Sequence, residues 1–295
     1  MDYDVKSTKA GNSKFAPGTH NMGIWICNPH NYSPILAEFE NCRAEYTIDD
    51  EANEKWVFYG NNRTWDDYLS IDNGRAVQIV SYYPWNENVT DLTSVPFSGR
   101  DADIFWCEPI SLSEDDTRGN GVLNVNLNYK RIATCIEVAV LANKNDAIYL
   151  SQITLTDKNG ANFITTGTFN ATTGEITPSD NGKLENIVIT SDKLLTNDNT
   201  TPRFQFVFPE YKGYNGNFEL SFLFNKVNGT DGVEGLTKFT IPKTIAGAET
   251  ENVTLEKGKK YIVTLQMNEE MKFKVLGFKT VDDWNNTPVI TDIVM

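Results

Sequence analysis

Histidine is nearly missing from this chain: only His20 and His30 occur in 295 residues. A zinc site would have to recruit cysteines or carboxylates around them. Cys27 lies between the two, but the spacing matches no common ligand pattern. Cysteine is scarce too, and Cys27, Cys42, Cys107 and Cys135 form no Cys-x-x-Cys pair, which argues against a zinc knuckle or a thioredoxin-type redox motif. Disulfides and buried free thiols both remain open for them, while no histidine stands where it would activate a thiol nucleophile. Basic charge is also short. Against 40 Asp plus Glu there are 26 Lys plus Arg, a net charge of −14, the wrong sign for neutralising nucleic-acid phosphates or docking on an anionic membrane.

Long apolar runs are absent: Ile132–Leu141 and Phe204–Phe208 fall far below the roughly 20 residues of a membrane-crossing helix. The opening MDYDVKSTKAGNSKF has no basic start, apolar stretch or small-residue cleavage site. The expectation is either a cytosolic protein or a mature form cut from a longer precursor. No GxSxG, Walker loop, GxGxxG or HExxH motif occurs, and no cofactor is expected.

What the chain has in quantity is Asn and Thr, 32 and 30 residues. These types suit turns and exposed strand faces, suit helices poorly, and lean towards an exported protein. Between them runs a period of two. Leu123, Val125, Leu127 and Tyr129 alternate with Asn124, Asn126 and Asn128; Phe204, Phe206 and Phe208 alternate with Arg203 and Gln205. The same alternation recurs over 217–225 and 260–267, which predicts half-buried antiparallel strands. Runs such as Gly23–Cys27, Ala76–Tyr83, Ile132–Leu141, Ile148–Thr156 and Phe273–Val281 are further strands. Asn159-Gly160, Asn181-Gly182, Asn215-Gly216 and Asn228-Gly229 read as turns. No window offers a convincing amphipathic helix longer than about three turns, and Pro34–Tyr46 is the best candidate. The expected architecture is all-β, with antiparallel sandwiches favoured over one large barrel. The polar break Asn143-Lys144-Asn145-Asp146 divides it into an N-terminal domain, 1–143, and a C-terminal domain, 144–295.

Acidic pairs are frequent: Asp49-Asp50-Glu51, Asp66-Asp67, Asp101 with Asp103, Glu114-Asp115-Asp116 and Asp282-Asp283. A glycosidase needs two facing carboxylates across a cleft, so these read first as solvated loop residues. Asp157-Lys158-Asn159-Gly160 imitates the start of a calcium loop but lacks the later glutamate. Tyr82, Tyr83 and Trp85 form an aromatic cluster with two readings, core packing or a glycan-stacking platform. Neighbouring strand residues face opposite ways, so at least one of them belongs to a core.

Several phrases occur in a telling order. Phe15-Ala-Pro-Gly18 followed by Met22-Gly23-Ile24-Trp25-Ile26 comes first, then the strand Val77–Trp85 with its Tyr82-Tyr83-Pro84, then the apolar run Tyr129–Leu141. Leu255-Glu256-Lys257-Gly258-Lys259-Lys260-Tyr261 leads into a late strand, and Asp283-Trp284 follows. Together they resemble the fimbrillin family, the subunits of type V pili of Bacteroides-like bacteria.

That resemblance implies two transthyretin-like β-sandwich domains in tandem and no enzymatic activity. It also implies export through a lipoprotein precursor, a place in a pilus at the outer membrane, and other pilus subunits as partners joined by strand exchange. Membrane attachment would come only through a precursor lipid. The candidate donor strand is the end of the chain, with Val289, Thr291, Ile293 and Met295 on one face and Ile290, Asp292 and Val294 on the other. Its alternative is an ordinary last strand of the second sandwich. Val5–Phe15 is the candidate removable strand, with Lys9 or Lys14 as processing positions. The competing functions are a surface module that binds host or bacterial glycans and, behind it, a glycoside hydrolase.

Overall fold

The computed structural model describes residues 4–7, 21–35, 37–48, 54–58, 76–98, 104–113, 125, 127–143, 148–160, 163–198, 200–209, 215–227, 230–241, 253–268, 270, 272–281 and 289–293. Among these every regular element is a strand apart from one 3-10 turn, Ala37–Phe39. The all-β expectation holds.

One sheet gathers β1 (Asp4–Ser7), β2 (Asn21–Cys27), β3 (Cys42–Ile48), β4 (Glu54–Phe58), β5 (Val77–Tyr83), β7 (Phe105–Leu112), β8 (Leu127–Arg131) and the last strand, β23 (Val289–Ile293). Its order is β1-β23-β8-β7-β5-β2-β3-β4, and β4 pairs β1 so that the sheet closes on itself. The resemblance implies a sandwich for this half, and its largest sheet is closed into a barrel. The segment nearest the N-terminus and the segment nearest the C-terminus close the ring, since β1 spans from β4 to β23. Closure satisfies backbone groups that an open rim would leave unpaired.

The ring is filled, with Met22, Ile24, Ile26, Ala44, Tyr46, Ile79, Phe105, Leu127 and Tyr129 packed inside it. Its outer surface is also covered over β2, β5 and β7. There Trp25, Val80, Tyr82 and Trp106 pack against Val95, Phe97, Ile164, Phe169 and Ile176. These strands are therefore buried on both faces, which is why β2 lacks an apolar-polar alternation.

The second body is a sandwich. One sheet runs β16 (Arg203–Pro209), β9 (Ala133–Leu141), β21 (Lys260–Met267), β22 (Phe273–Val281), and the other β15 (Asn186–Leu195), β10 (Ile148–Asp157), β18 (Phe218–Val227), β19 (Thr230–Thr240). Here the period of two does what it predicts. Phe204, Phe206 and Phe208 face Phe218, Leu220, Phe222 and Phe224 across one core, with Phe163 edge-on to Phe208 at 5.1 Å. Each buried phenylalanine contributes about 2 kcal/mol by area alone.

The β9–β21 pair is parallel, so it needs a long crossover, which the strands between them supply. A small sheet of β13 (Ile176–Pro178), β12 (Thr166–Phe169) and β6 (Val95–Ser98) joins the two bodies, because β12 pairs β6 from Thr166↔Ser98 to Phe169↔Val95. Two short pairs, β11 (Phe163–Ile164) with β14 (Lys183–Leu184) and β17 (Asn215–Gly216) with β20 (Val253–Thr254), complete the fold.

Two local signals resolve into strand. Pro34–Tyr46 is not a helix: after the single 3-10 turn the chain extends as β3, where Cys42, Ala44 and Tyr46 alternate inward. The strand period beats the helical one because these side chains fill the ring. Asn215-Gly216 is not a turn but a strand, paired with Thr254 and Val253. By contrast, Asn159-Gly160 and Asn181-Gly182 lie in turns, and Gly160 has φ +119°, a conformation side chains avoid.

All four cysteines are buried thiols outside any disulfide, which decides between the two states the sequence left open. Burial pushes the Cys27 thiol up to about 12 and the Cys107 thiol up to about 11. Among the described residues Glu137 on β9 is a buried carboxylate with strong partners on both neighbouring strands. It accepts from Arg203 Nη1 at 2.7 Å and Gln205 Nε2 at 2.7 Å on β16, and from Lys260 Nζ at 2.5 Å on β21. Burial alone would raise its pKa, but these three donors outweigh that and hold it below the ordinary range.

Two predictions follow from this packing. A thiol reagent should label no cysteine in the native protein at pH 8 and all four after unfolding; fast native labelling would contradict the burial. Glu137→Ala should cost on the order of 2 kcal/mol, less than a fully enclosed pair because Arg203 is half exposed. A depressed carboxylate stabilises the fold above its unfolded pKa and loses that contribution as pH falls through the folded value. The wild-type protein should therefore lose more stability below about pH 4.3 than Glu137→Gln, measured by chemical denaturation across pH.

Candidate functional site

The closing strand β23 is the first structural feature that could serve assembly. It lies antiparallel between β8, at Val289↔Asn128 and Ile290↔Leu127, and β1, at Val5↔Ile293 and Ser7↔Ile290 with an irregularity between. By comparison, β10 matches β18 from Ile148 to Asp157. The end of the chain is thus a short insert held by few residue pairs in the first sheet, not the last strand of the second sandwich. Val294, Met295, Lys9 and Lys14 lie outside the described residues.

The second feature is an open seam in the sandwich. Strands β15 and β16 are the end strands of facing sheets, and among the described residues neither has a partner on its outer side. Between them lies a groove of about 390 Å³ lined by Ile189, Ser191, Lys193, Arg203, Phe204 and Val207, among others. Ser191 and Asp192 stand in the register irregularity opposite Ser151, between the pairs Gln152↔Thr190 and Leu150↔Lys193. The Ser191 hydroxyl there is buried without a hydrogen-bond partner. Val188 and Leu194 are exposed on the same strand.

The aromatic cluster is divided by the pleat. Tyr82 is fully buried on the outer side of the ring, and Tyr83 packs on the inner cluster with its ring edge-on to Phe105 at 5.7 Å. Trp85 lines a cavity. That cavity, about 560 Å³, is bounded by Pro84, Trp85, Asn86, Glu87 and Asn88 on one side and Pro96, Phe97, Ser98 and Ile104 on the other.

Tyr82 instead supports the turn that carries Trp85. Its hydroxyl donates to Asn41 Oδ1 at 2.6 Å, Asn41 Nδ2 donates to the Asn86 carbonyl at 2.7 Å, and Trp85 Nε1 donates to the Asn41 carbonyl at 3.2 Å. Sequence reasoning missed Asn41, whose left-handed φ of 52° is one that asparagine tolerates. Gly23 leaves room for the Tyr82 ring, which a Cβ there would strike.

The acidic pairs at 49–51, 66–67, 101–103, 114–116 and 282–283, with His20, lie outside the described residues, and His30 is exposed. Asp157 Oδ1 accepts the Asn159 N–H at 2.9 Å, the bond of a local turn. Among the described residues no three His, Cys, Asp or Glu side chains gather as a metal site would require.

Comparison with known proteins agrees with this all-β architecture. No curated protein matches the sequence. A candidate cell adhesion protein from Bacteroides uniformis is similar in structure, with a TM-score of 0.60 at 14% identity over 96% of this chain and 98% of that one. A second, from Parabacteroides distasonis, has a TM-score of 0.51 at 8% identity over 95% and 96%. The tip fimbrial protein Mfa3 from Porphyromonas gingivalis has a TM-score of 0.41 at 10% identity over 89% and 94%. A family model described as fimbrillin-like matches residues 19–284, most of the sequence, and the chain belongs to the fimbrillin-like family.

Proposed function

We propose that this protein is a non-enzymatic structural subunit of a cell-surface pilus, exported to the outer membrane and joined to its neighbours by exchange of β-strands. Family membership supports the pilus role. The observation that carries strand exchange is the position of β23, a terminal strand that completes its own chain's first sheet through a few pairs on either side. A strand that closes one copy can close the next by the same pairing, because register and side-chain pattern are identical in every copy. Few pairs make such a strand the part of the sheet that opens at least cost. In this reading the chain has two units, the closed sheet and the sandwich that begins at β9, and removal of β1 by proteolysis after Lys9 or Lys14 frees the place that a donor strand takes.

Limited trypsin digestion followed by sizing tests this. The treated protein should form a ladder of multimers, and both deletion of residues 289–295 and Ile290→Pro, which removes a ladder donor, should abolish it. Melting curves of both variants separate loss of assembly from loss of fold. A monomer after digestion, or an unchanged ladder from the two variants, would overturn the proposal.

A further inference from the structure

We infer that the cavity beside Trp85 is a binding site for a neutral saccharide. The inference stands apart from strand exchange, since it concerns a face of the folded monomer. The cavity volume of about 560 Å³ lies within the range of small-ligand sites, and its walls are mixed in character. Trp85, Pro84, Pro96, Phe97 and Ile104 are apolar, while Glu87, Asn88 and Ser98 bring polar groups. A sugar ring has this same division, with a face of C–H groups and a rim of hydroxyls.

The aromatic wall is fixed in advance. The Trp85 backbone N–H donates to the Asn21 carbonyl at 2.8 Å and its Nε1 to the Asn41 carbonyl at 3.2 Å. The indole therefore pays little ordering entropy when a ring lies on it. The rim is unspent: among the described residues neither the Glu87 carboxylate nor the Ser98 hydroxyl has a hydrogen-bond partner, and both residues are exposed.

Charge selects among ligands. The Arg43 guanidinium, itself paired with Glu45, lies 5.5 Å from the Trp85 ring centroid and serves one face of the indole, so a ligand ring has the other face to stack on. Among the described residues of the wall Glu87 is the charged side chain, and in a chain of net charge −14 it disfavours an anion. A proline-rich peptide is recognised between several aromatic rings along a groove, whereas this wall offers Trp85 and Phe97, the latter almost wholly buried. A neutral ring that stacks on Trp85 and hydrogen-bonds to Glu87, Asn88 and Ser98 matches this wall.

Saturation-transfer NMR with lactose, cellobiose, maltose and mannobiose tests this on the monomer, beside tetramethylammonium, sialic acid and a proline-rich peptide. At least one disaccharide should receive transfer through its ring protons. Glu87→Ala and Ser98→Ala, both on the exposed rim, should each weaken that binding about tenfold while leaving the melting curve in place. Trp85→Phe should retain weakened binding, and Trp85→Ala should abolish it. The inference is overturned by no transfer to any disaccharide, by equal transfer in the rim variants, or by binding of the ammonium ion, sialic acid or peptide in place of sugar.

Discussion

Backbone pairing at strand edges is the constraint on which this molecule depends. Every strand has two rows of N–H and C=O groups, and a rim left open is a template for another chain. The first sheet removes its rims by closing, and it does so with the two strands nearest the chain ends, β1 and β23. The sandwich keeps its rims. At one of them, β22 carries exposed Lys274 and Lys279, the charged residues that commonly discourage edge pairing. At another, β15 presents Val188 and Leu194 beside a groove that holds an unpartnered Ser191 hydroxyl. One sheet is thus closed by short strands near the chain ends, while the sandwich keeps a rim that sets exposed Asp192 and Lys193 beside apolar Val188 and Leu194.

Much of this was legible in the sequence, but unevenly. Strands with one wet face announced themselves: β16, β18 and β21 alternate as their residues require, because one side meets solvent and the other meets phenylalanine. Strands buried on both sides lose that signal. β2 reads as an apolar run only because Met22, Ile24 and Ile26 face the ring while Trp25 and Cys27 face the outer cluster. β3 was missed because three small or aromatic residues at a period of two, Cys42, Ala44 and Tyr46, sit in a window that also suits a helix. Pairing partners at long range have no local signature. Nothing in Val289–Ile293 says that its neighbours are β8 and β1, and nothing in Thr166–Phe169 points to β6.

The candidate saccharide site shows the same limit from another side. Residue types alone marked Tyr82, Tyr83 and Trp85, and the alternation rule correctly separated the two tyrosines. Which of the three reaches solvent depends on Asn41, forty-odd residues earlier, whose amide and carbonyl hold the turn at 84–88. An asparagine in a left-handed bend is indistinguishable in sequence from the other asparagines of this chain. Its importance comes from the three hydrogen bonds it makes to Tyr82, Trp85 and Asn86, and those exist only once β5 is paired with β2.

The two bodies are joined without a linker. Only Ile132 separates β8 from β9; it is fully buried, and its N–H donates to the Ile104 carbonyl at 2.9 Å. A second tie comes from the opposite direction in sequence, where β12 leaves the sandwich and pairs β6 over four residues, with Phe169 packed edge-on to Tyr82 at 6.0 Å. A third is Lys257, which donates to the Gly174 carbonyl at 3.2 Å, next to the point where Gly174 meets the Trp106 ring. A pull applied to β23 is therefore passed along β8, through a buried single-residue step, into the central strand pair of the sandwich. The joint rests on three separate ties, whereas β23 is held by a few residue pairs on either side.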